Sequence, residues 1–457
     1  MRVRITPGSH LEGRVRVPGD KSIAHRWLIL AATARGPSAL VEVPPSLDVR
    51  STAAALAVVS PKARPALQAW ASNDADDAKG HGSTWNVRVA EAVAMPLEVE
   101  GEGRSGLVEP SHDLDCGNSG TSTRLLAGLL AASPFRTVLT GDDSLRSRPM
   151  ERVAAPLRAM GAAVETTDGH APVAIVGGGL QGIDHHTPVP TAQVKSAVLL
   201  AGLDADGVTT VTEPAATRDH TERAIRALGG PVQVEGSTVR VERFQQEGFA
   251  GTVPGDPSSA AFLVAAAALT GSELTIDGVG LNPSRIHYLE VMERFGIHTE
   301  VRVDHDEVGE PVGELWVAPC DGIRSTRIEA WELPLVIDEV PVLALVASHA
   351  RGDSWFLGAS ELRVKESDRL AGVADGILAL GGQAAAEGDD LVVAGGGLEG
   401  GRGDGQGDHR MAMAFAVSAL AARRPAEVDG MEAADVSFPG FVPTLIGLGA
   451  SIEVVSA

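Results

Sequence analysis

The sequence has only two cysteines in 457 residues, Cys116 and Cys320, too few for a disulfide framework or a cysteine-rich metal site. Both are expected to be buried and inert. It also lacks a cationic surplus. A formal net charge of -22 argues against nucleic acid and anionic membrane as partners. A small anionic substrate stays compatible with that charge, because salt screens distant charges beyond about 8 Å and a cleft is governed by its own residues. Long apolar runs are missing as well. Ala260 to Leu269 and Met411 to Ala422 fall short of the roughly 20 residues that span a bilayer. The first twenty residues scatter Arg2, Arg4, Glu12 and Arg14 among apolar ones, without the continuous block of a signal peptide. These absences predict a soluble, cytoplasmic protein.

What is present is a globular composition, 44% hydrophobic and 21% charged, laid out as a repeat. An apolar helical run ends on glycine and gives way to alternating β-type residues at Gly161, Gly229, Gly296, Gly381 and Gly449, with spacings of 68, 67, 85 and 68 residues. Such a near-fixed period marks one supersecondary unit copied along the chain. A second series, of polar turns opening helices rich in small apolar residues, runs through Gly19-Asp20-Lys21-Ser22, Gly117 to Thr121, Thr191-Ala192-Gln193, Gly255-Asp256-Pro257-Ser258, Asp338-Glu339-Val340-Pro341 and Gly407 to Arg410. Six units fit two lobes of three, with crossings near Pro18-Gly19-Asp20 and in Gln246 to Pro254. Hairpins are expected at Asp168-Gly169, Gly236-Ser237 and Asp389-Asp390. The polar stretch of about 70–86 reads as a surface insertion without a part in chemistry.

Helix starts carry free N–H groups and about half a positive charge, so several converging on one cleft would receive phosphate and carboxylate. Here they also carry cations: Lys21, Arg26, Arg124, Arg148, Lys195, Arg218, Lys365, Arg369 and Arg410. Cations opening buried helices point to an anion, since a buried unpaired charge costs several kcal/mol.

The segments PGDKSIAHRWLILAA (18–32), GNSGTSTRLLAGLLA (117–131), RSRPMERV (146–153), TAQVKSAVLLAGL (191–203), EPAATRDHTE (213–222), GDPSSAAFLVAAAAL (255–269), IDEVPVLALVA (337–347), ELRVKESDRL (361–370) and GDHRMAMAFAV (407–417) resemble, in order, the 5-enolpyruvylshikimate-3-phosphate synthase family of enolpyruvyl transferases. The resemblance implies an α/β (α+β) fold of six βαβαββ units, three per lobe, with buried helices whose N-termini face the cleft between the lobes. Lobe I would comprise residues 1–20 plus 253–457 and carry the acid/base residues and part of a phosphoenolpyruvate clamp. Lobe II, residues 21–252, would bind shikimate 3-phosphate. The implied reaction moves the enolpyruvyl group of phosphoenolpyruvate to the 5-hydroxyl of shikimate 3-phosphate and releases phosphate, with no metal or organic cofactor, in a monomer.

Carried over by motif, Lys21, Ser22, Arg26, Thr191, Ala192, Gln193, Arg218, Asp338, Glu361 and Lys365 would hold shikimate 3-phosphate. Lys21, Gly120, Arg148, Gln193, Arg369 and Arg410 would hold phosphoenolpyruvate, and Asp338, Glu366 and Lys21 would be catalytic. Lys365 and Arg369 flank Glu366 in sequence and are expected to favour its ionised form. Val436 stands where many members have a clamp lysine. Gly120 leaves room for glyphosate, so inhibition competing with phosphoenolpyruvate is expected, although Lys195, Arg218 and Glu361 resemble a subclass that includes tolerant members. Two other readings remain open. The sister transferase acting on UDP-N-acetylglucosamine typically uses a loop cysteine and favours Lys-Asn over Lys21-Ser22, and a catalytically silent anion-binding paralogue would fit Val436 and the insertion.

Overall fold

The computed structural model describes residues 1–72 and 96–455. Residues 73–86 of the polar stretch lie outside the described residues, while Trp70 to Ser72 end a helix, Arg64–Ser72. Six helices form the interior: α1 (Lys21–Ala32), α2 (Gly120–Leu130), α3 (Ala192–Gly202), α4 (Pro257–Leu269), α5 (Val340–Ala347) and α6 (His409–Ala419). Helices apolar on all sides must be buried. Every residue of α5 and α6 is buried, as is every one from Pro257 to Ala268 in α4. Small residues let these helices approach closely: a Cβ added at Gly128 of α2 would lie 2.2 Å from the Ala197 carbonyl oxygen of α3.

Around them stand six mixed sheets, five of four strands and one, among the described residues, of three. Each combines one parallel pair with antiparallel neighbours. The hairpin Ala163–Thr167 to His170–Val176, with Val164 opposite Ile175, turns on Asp168 and Gly169 at φ 52° and 82°. Gly236 turns Val232–Glu235 into Thr238–Val241 as expected. The third hairpin is shifted: its strands are Gln383–Glu387 and Asp390–Ala394, so the turn is Gly388-Asp389, placed by the positive φ of Gly388. All five periodic glycines have φ between 80° and 111°, the left-handed helix exit.

Two hydrophobic cores result. One gathers residues from Val3 to Val17 and from Ala260 to Ile452, including α4, α5 and α6; the other runs from Ile23 to Val253 and holds α1, α2 and α3. The chain crosses between them twice, and the crossings lie side by side. Gly19 pairs with Gly255, the Asp20 N–H donates to the Pro254 carbonyl at 2.6 Å, and the Asp256 N–H donates to that of Pro18 at 2.8 Å. Cys116 is buried, its thiol pushed up to about 12 by burial. Cys320 is only half-buried, contrary to expectation, because it lies in the loop after the strand Glu310–Val317. Among the described residues no helix is long and apolar enough to cross a membrane.

Candidate active site

All six interior helices begin at one cavity of about 590 Å³ between the two cores. Local chemistry fixes the starts. Asp20, Ser119, Asp256 and Asp408 cap their helices by accepting from the N–H groups of Ile23, Ser122, Ser258 and Arg410, each cap being worth about 0.5–2 kcal/mol. Thr191 and Glu339 occupy cap positions without a side-chain cap bond. The Thr191 N–H donates instead to Glu213 at 3.1 Å, and Glu339 accepts from the Ser258 hydroxyl.

The core containing α1 to α3 contributes mainly cations. Lys21 Nζ lies 2.8 Å from Asp48. The Arg26 guanidinium donates to Thr221 Oγ1, Ser22 O and Ser196 Oγ, each at 2.7 Å. Burial, then the neighbouring Arg218, brings it down to about 10 against the pull of Glu222 and Asp20. Arg124 is likewise pushed down to about 10, by burial and then by Arg148 and Arg152. Arginine does not give up its proton in proteins, so both stay charged, and both are held by neutral oxygens: Arg124 donates to Gln193 and to the Pro149 carbonyl. Gln193 is fixed between helices, accepting from Arg124 and donating to Thr121 Oγ1 at 2.8 Å.

The other core contributes the acids. Asp338, just before α5, has Lys365 at 3.6 Å, Arg369 at 3.4 Å and Arg410 at 3.9 Å. Glu366 lies 2.6 Å from Arg369 and 3.8 Å from Arg148. Burial opposes the charge of both carboxylates, but the surrounding cations outweigh it and hold both well below the usual range. His409 beside them is kept neutral, pushed down to about 3 by burial and by Lys21. Among the described residues, three arginine–carboxylate pairs cross from one core to the other: Arg148 to Glu366, Arg152 to Glu361 at 3.2 Å, and Arg218 to Asp338.

Lys21, Ser22, Arg26, Gly120, Arg148, Thr191, Ala192, Gln193, Arg218, Asp338, Glu361, Lys365, Glu366 and Arg410 all line this cavity. Arg369 does not. It is N1 of its own helix, Arg369–Ala379, and its Nε donates to the α6 cap Asp408 at 2.7 Å, which draws it behind Glu366 and Asp338. The expected flanking of Glu366 by Lys365 also needs correction. The backbone is extended at Lys365, neighbouring side chains of an extended segment point to opposite sides, and Lys365 turns to Asp338 while Arg148 takes its place beside Glu366. Lys195 faces away into the core, paired with Glu213 at 2.8 Å and Glu222 at 2.9 Å. Val436 is not among the lining residues.

Four titratable lining residues were given no role by the sequence reading: Asp48, Arg152, Arg285 and His409. Asp48 had a signal, a lone acid in the first turn of the apolar helix Leu47–Val59. Arg285 had none, since its partners Asp20 and Asp256 are remote in sequence. Among the described residues no group of three or more His, Cys, Asp or Glu is placed to hold a metal ion.

Nine lysines and arginines against five carboxylates line the cavity of a chain whose net charge is -22, so it is built for anions. Two lobes of one repeated unit, closing such a cavity over a pair of half-buried acids, define a two-lobed transferase of the enolpyruvyl type. A model of the EPSP synthase (3-phosphoshikimate 1-carboxyvinyltransferase) family matches residues 5–62 and 87–445. The chain is 44% identical to the 3-phosphoshikimate 1-carboxyvinyltransferase of Acidithiobacillus ferrooxidans, with both chains covered completely. It is 45% identical to that of Thermus thermophilus, over 98% of this chain and 99% of the relative. The solved EPSP synthase of Acinetobacter baumannii superposes with a TM-score of 0.82 at 37% identity over the whole of both chains. The enolpyruvyl transferase NikO of Streptomyces tendae, at 20% identity and a TM-score of 0.72 over 100% of this chain and 99% of its own, shares the fold. The chain belongs to the EPSP synthase family and is an enzyme of that family.

Proposed function

We propose that this cavity joins phosphoenolpyruvate to the 5-hydroxyl of shikimate 3-phosphate and releases phosphate, with the labour divided between lobe II (21–252) and lobe I (1–20 plus 253–457). The observation that carries this reading is the meeting of Lys21, Arg148 and Arg218 from one core with Asp338, Glu366 and Arg410 from the other in a single cavity. Ser22, Arg26, Thr191, Ala192, Gln193 and Arg218 receive shikimate 3-phosphate, Glu361 and Lys365 face its hydroxyls, and Lys21 serves both substrates. Gly120, Arg148, Gln193 and Arg410 receive phosphoenolpyruvate, and Arg369, behind Glu366 in this structure, reaches it as the lobes approach. Charge-assisted hydrogen bonds of about 1.5–3 kcal/mol each offset the repulsion between the two anions.

Asp338 takes the proton of the 5-hydroxyl as that oxygen bonds to C2 of phosphoenolpyruvate, and Glu366 delivers a proton to C3. Elimination then returns a proton from C3, restores the double bond and breaks the C2–O bond to phosphate. Glu366 can be an acid only after its cations are neutralised. The substrate's phosphate and carboxylate do this by engaging Arg148 and Arg369, and approach of the lobes keeps water from the cationic intermediate. No organic cofactor or metal enters this scheme. Both lobes belong to one chain, so the site is complete in a monomer, and a cytoplasmic location goes with the reading.

The test is phosphate release. It should require both substrates together, and UDP-N-acetylglucosamine should not replace shikimate 3-phosphate. No release with either acceptor would point to a silent anion-binding protein, and release with the sugar nucleotide to the sister transferase.

A further inference from the structure

The two crossings are stitched by more than backbone. Arg285 emerges from the segment that follows the strand Leu274–Gly280, itself tied to the crossing by Gly255 N–H to Gly278 O and Gly280 N–H to Gly255 O, both at 2.8 Å. Its guanidinium is buried and forked. Nη1 donates to Asp20, the cap of α1, while Nη2 lies 2.9 Å from Asp256, the cap of α4, and donates to Ser258 Oγ at 3.0 Å. Ser258 in turn donates to Glu339, at the start of α5. On the other side Nη1 lies 3.2 Å from His220 Nε2, whose Nδ1 is 2.7 Å from Glu310. Because a guanidinium only donates, Nε2 must be the accepting nitrogen and Nδ1 carries the hydrogen toward Glu310. Asn282 closes the network, donating to Glu310 at 2.9 Å and Asp219 at 2.7 Å.

We infer that Arg285 is the pin of the hinge, a positioning residue that fixes the start of α1, and with it Lys21, relative to α4 and α5 as the lobes approach. A planar fork can hold two carboxylates from two elements at once; an ammonium cannot. This assignment rests on the division of substrates proposed above. Most proposed contacts to the shikimate 3-phosphate phosphate and ring, Ser22, Arg26, Thr191, Gln193 and Arg218, lie on the chain between the crossings, so a loosened hinge leaves them together. The phosphoenolpyruvate contacts are split, with Gly120 and Arg148 on one side and Arg369 and Arg410 on the other. A loosened hinge separates them.

The test uses Arg285→Lys, which keeps the charge without the fork, and the charge-balanced Arg285→Gln/Asp256→Asn, which retains a cap at position 256 and leaves Asp20 as the one carboxylate of the fork without its arginine. Circular dichroism and melting first establish that each is folded. Both should raise KM for phosphoenolpyruvate at least tenfold and lower kcat, while the Kd of shikimate 3-phosphate by calorimetry stays within threefold of wild type. Retention of the phosphoenolpyruvate KM within twofold in both variants would overturn the pin, as would equal weakening of both substrates. If instead the wild-type enzyme released no phosphate at all, it is the proposed reaction that would fail.

Discussion

The two lobes are built from the same unit yet bring opposite things to the cleft. Among the described residues, the cavity-lining Arg26, Arg124, Arg148 and Arg152 around α1, α2 and α3 have no carboxylate hydrogen-bonded to them from their own core; of the lining cations there, Lys21, held by Asp48, is the exception. Around α5 and α6 the two acids sit among cations of their own core, Lys365, Arg369 and Arg410. The lesson is that repetition fixes where helices start, whereas the side chain just before or after each start decides the chemistry. On the proposed reading, one lobe is left short of negative charge and supplies most of the contacts to shikimate 3-phosphate; the other keeps charged acids in reserve, moves protons and completes the phosphoenolpyruvate clamp. On that same reading, the cross-cleft pairs of Arg148, Arg152 and Arg218 with Glu366, Glu361 and Asp338 put the acids of one lobe where substrate anions are to sit.

The largest break in this comparison comes from the acid side. Glu366→Gln removes proton transfer without removing a cation, so kcat should fall about 100- to 10,000-fold, while KM for shikimate 3-phosphate changes little; steady-state phosphate release measures both. Arg218→Ala attacks the binding side. The loss of a charge-assisted bond of about 1.5–3 kcal/mol should raise KM for shikimate 3-phosphate roughly 10- to 100-fold with a smaller change in kcat.

Gly120→Ala sharpens the comparison at one point. A Cβ there would stand 2.9 Å from Arg124 Nη1 and 3.3 Å from Arg148 Nη1. The arginine tips must shift, so KM for phosphoenolpyruvate should rise about tenfold and glyphosate should inhibit less well than it does the parent enzyme.

The smallest effect concerns stability. Burial pushes His349 down to about 4, burial and Lys21 push His409 down to about 3, and burial and Lys21 hold His25 well below its usual value. An unfolded histidine titrates near about 6.5, so below that pH the unfolded chain gains protons that the folded protein refuses. Stability from these groups is complete above that value and is lost as pH falls toward 3–4. Melting temperature should therefore decline between pH 6.5 and 4.5. His349→Gln, outside the cleft, should flatten that decline and leave kcat unchanged.

Much of this was legible in the sequence because it is local. Glycine exits, acidic caps and Asp256-Pro257 announce helix ends within a few residues, and they located all six starts. The cations near those starts were legible too, since motifs keep them together. What failed was pairing over distance. Glu366 was assigned Lys365 from adjacency, but an extended backbone turned Lys365 to Asp338 and the fold brought in Arg148. Arg285, far in sequence from Asp20, carries no local mark of its place between the crossings. Asp389-Asp390 was misread by one residue because Gly388, with its positive φ, sets the turn.

The central claim, that lobe II holds most of shikimate 3-phosphate while lobe I transfers protons, is tested most directly by titrating Arg218→Ala and Glu366→Gln with shikimate 3-phosphate in one calorimetric series. The account predicts that the arginine variant loses affinity at least tenfold while the glutamate variant binds within threefold of wild type yet turns over at less than about one-hundredth of its rate. Equal loss of affinity in both variants, or near-normal turnover by Glu366→Gln, would contradict it.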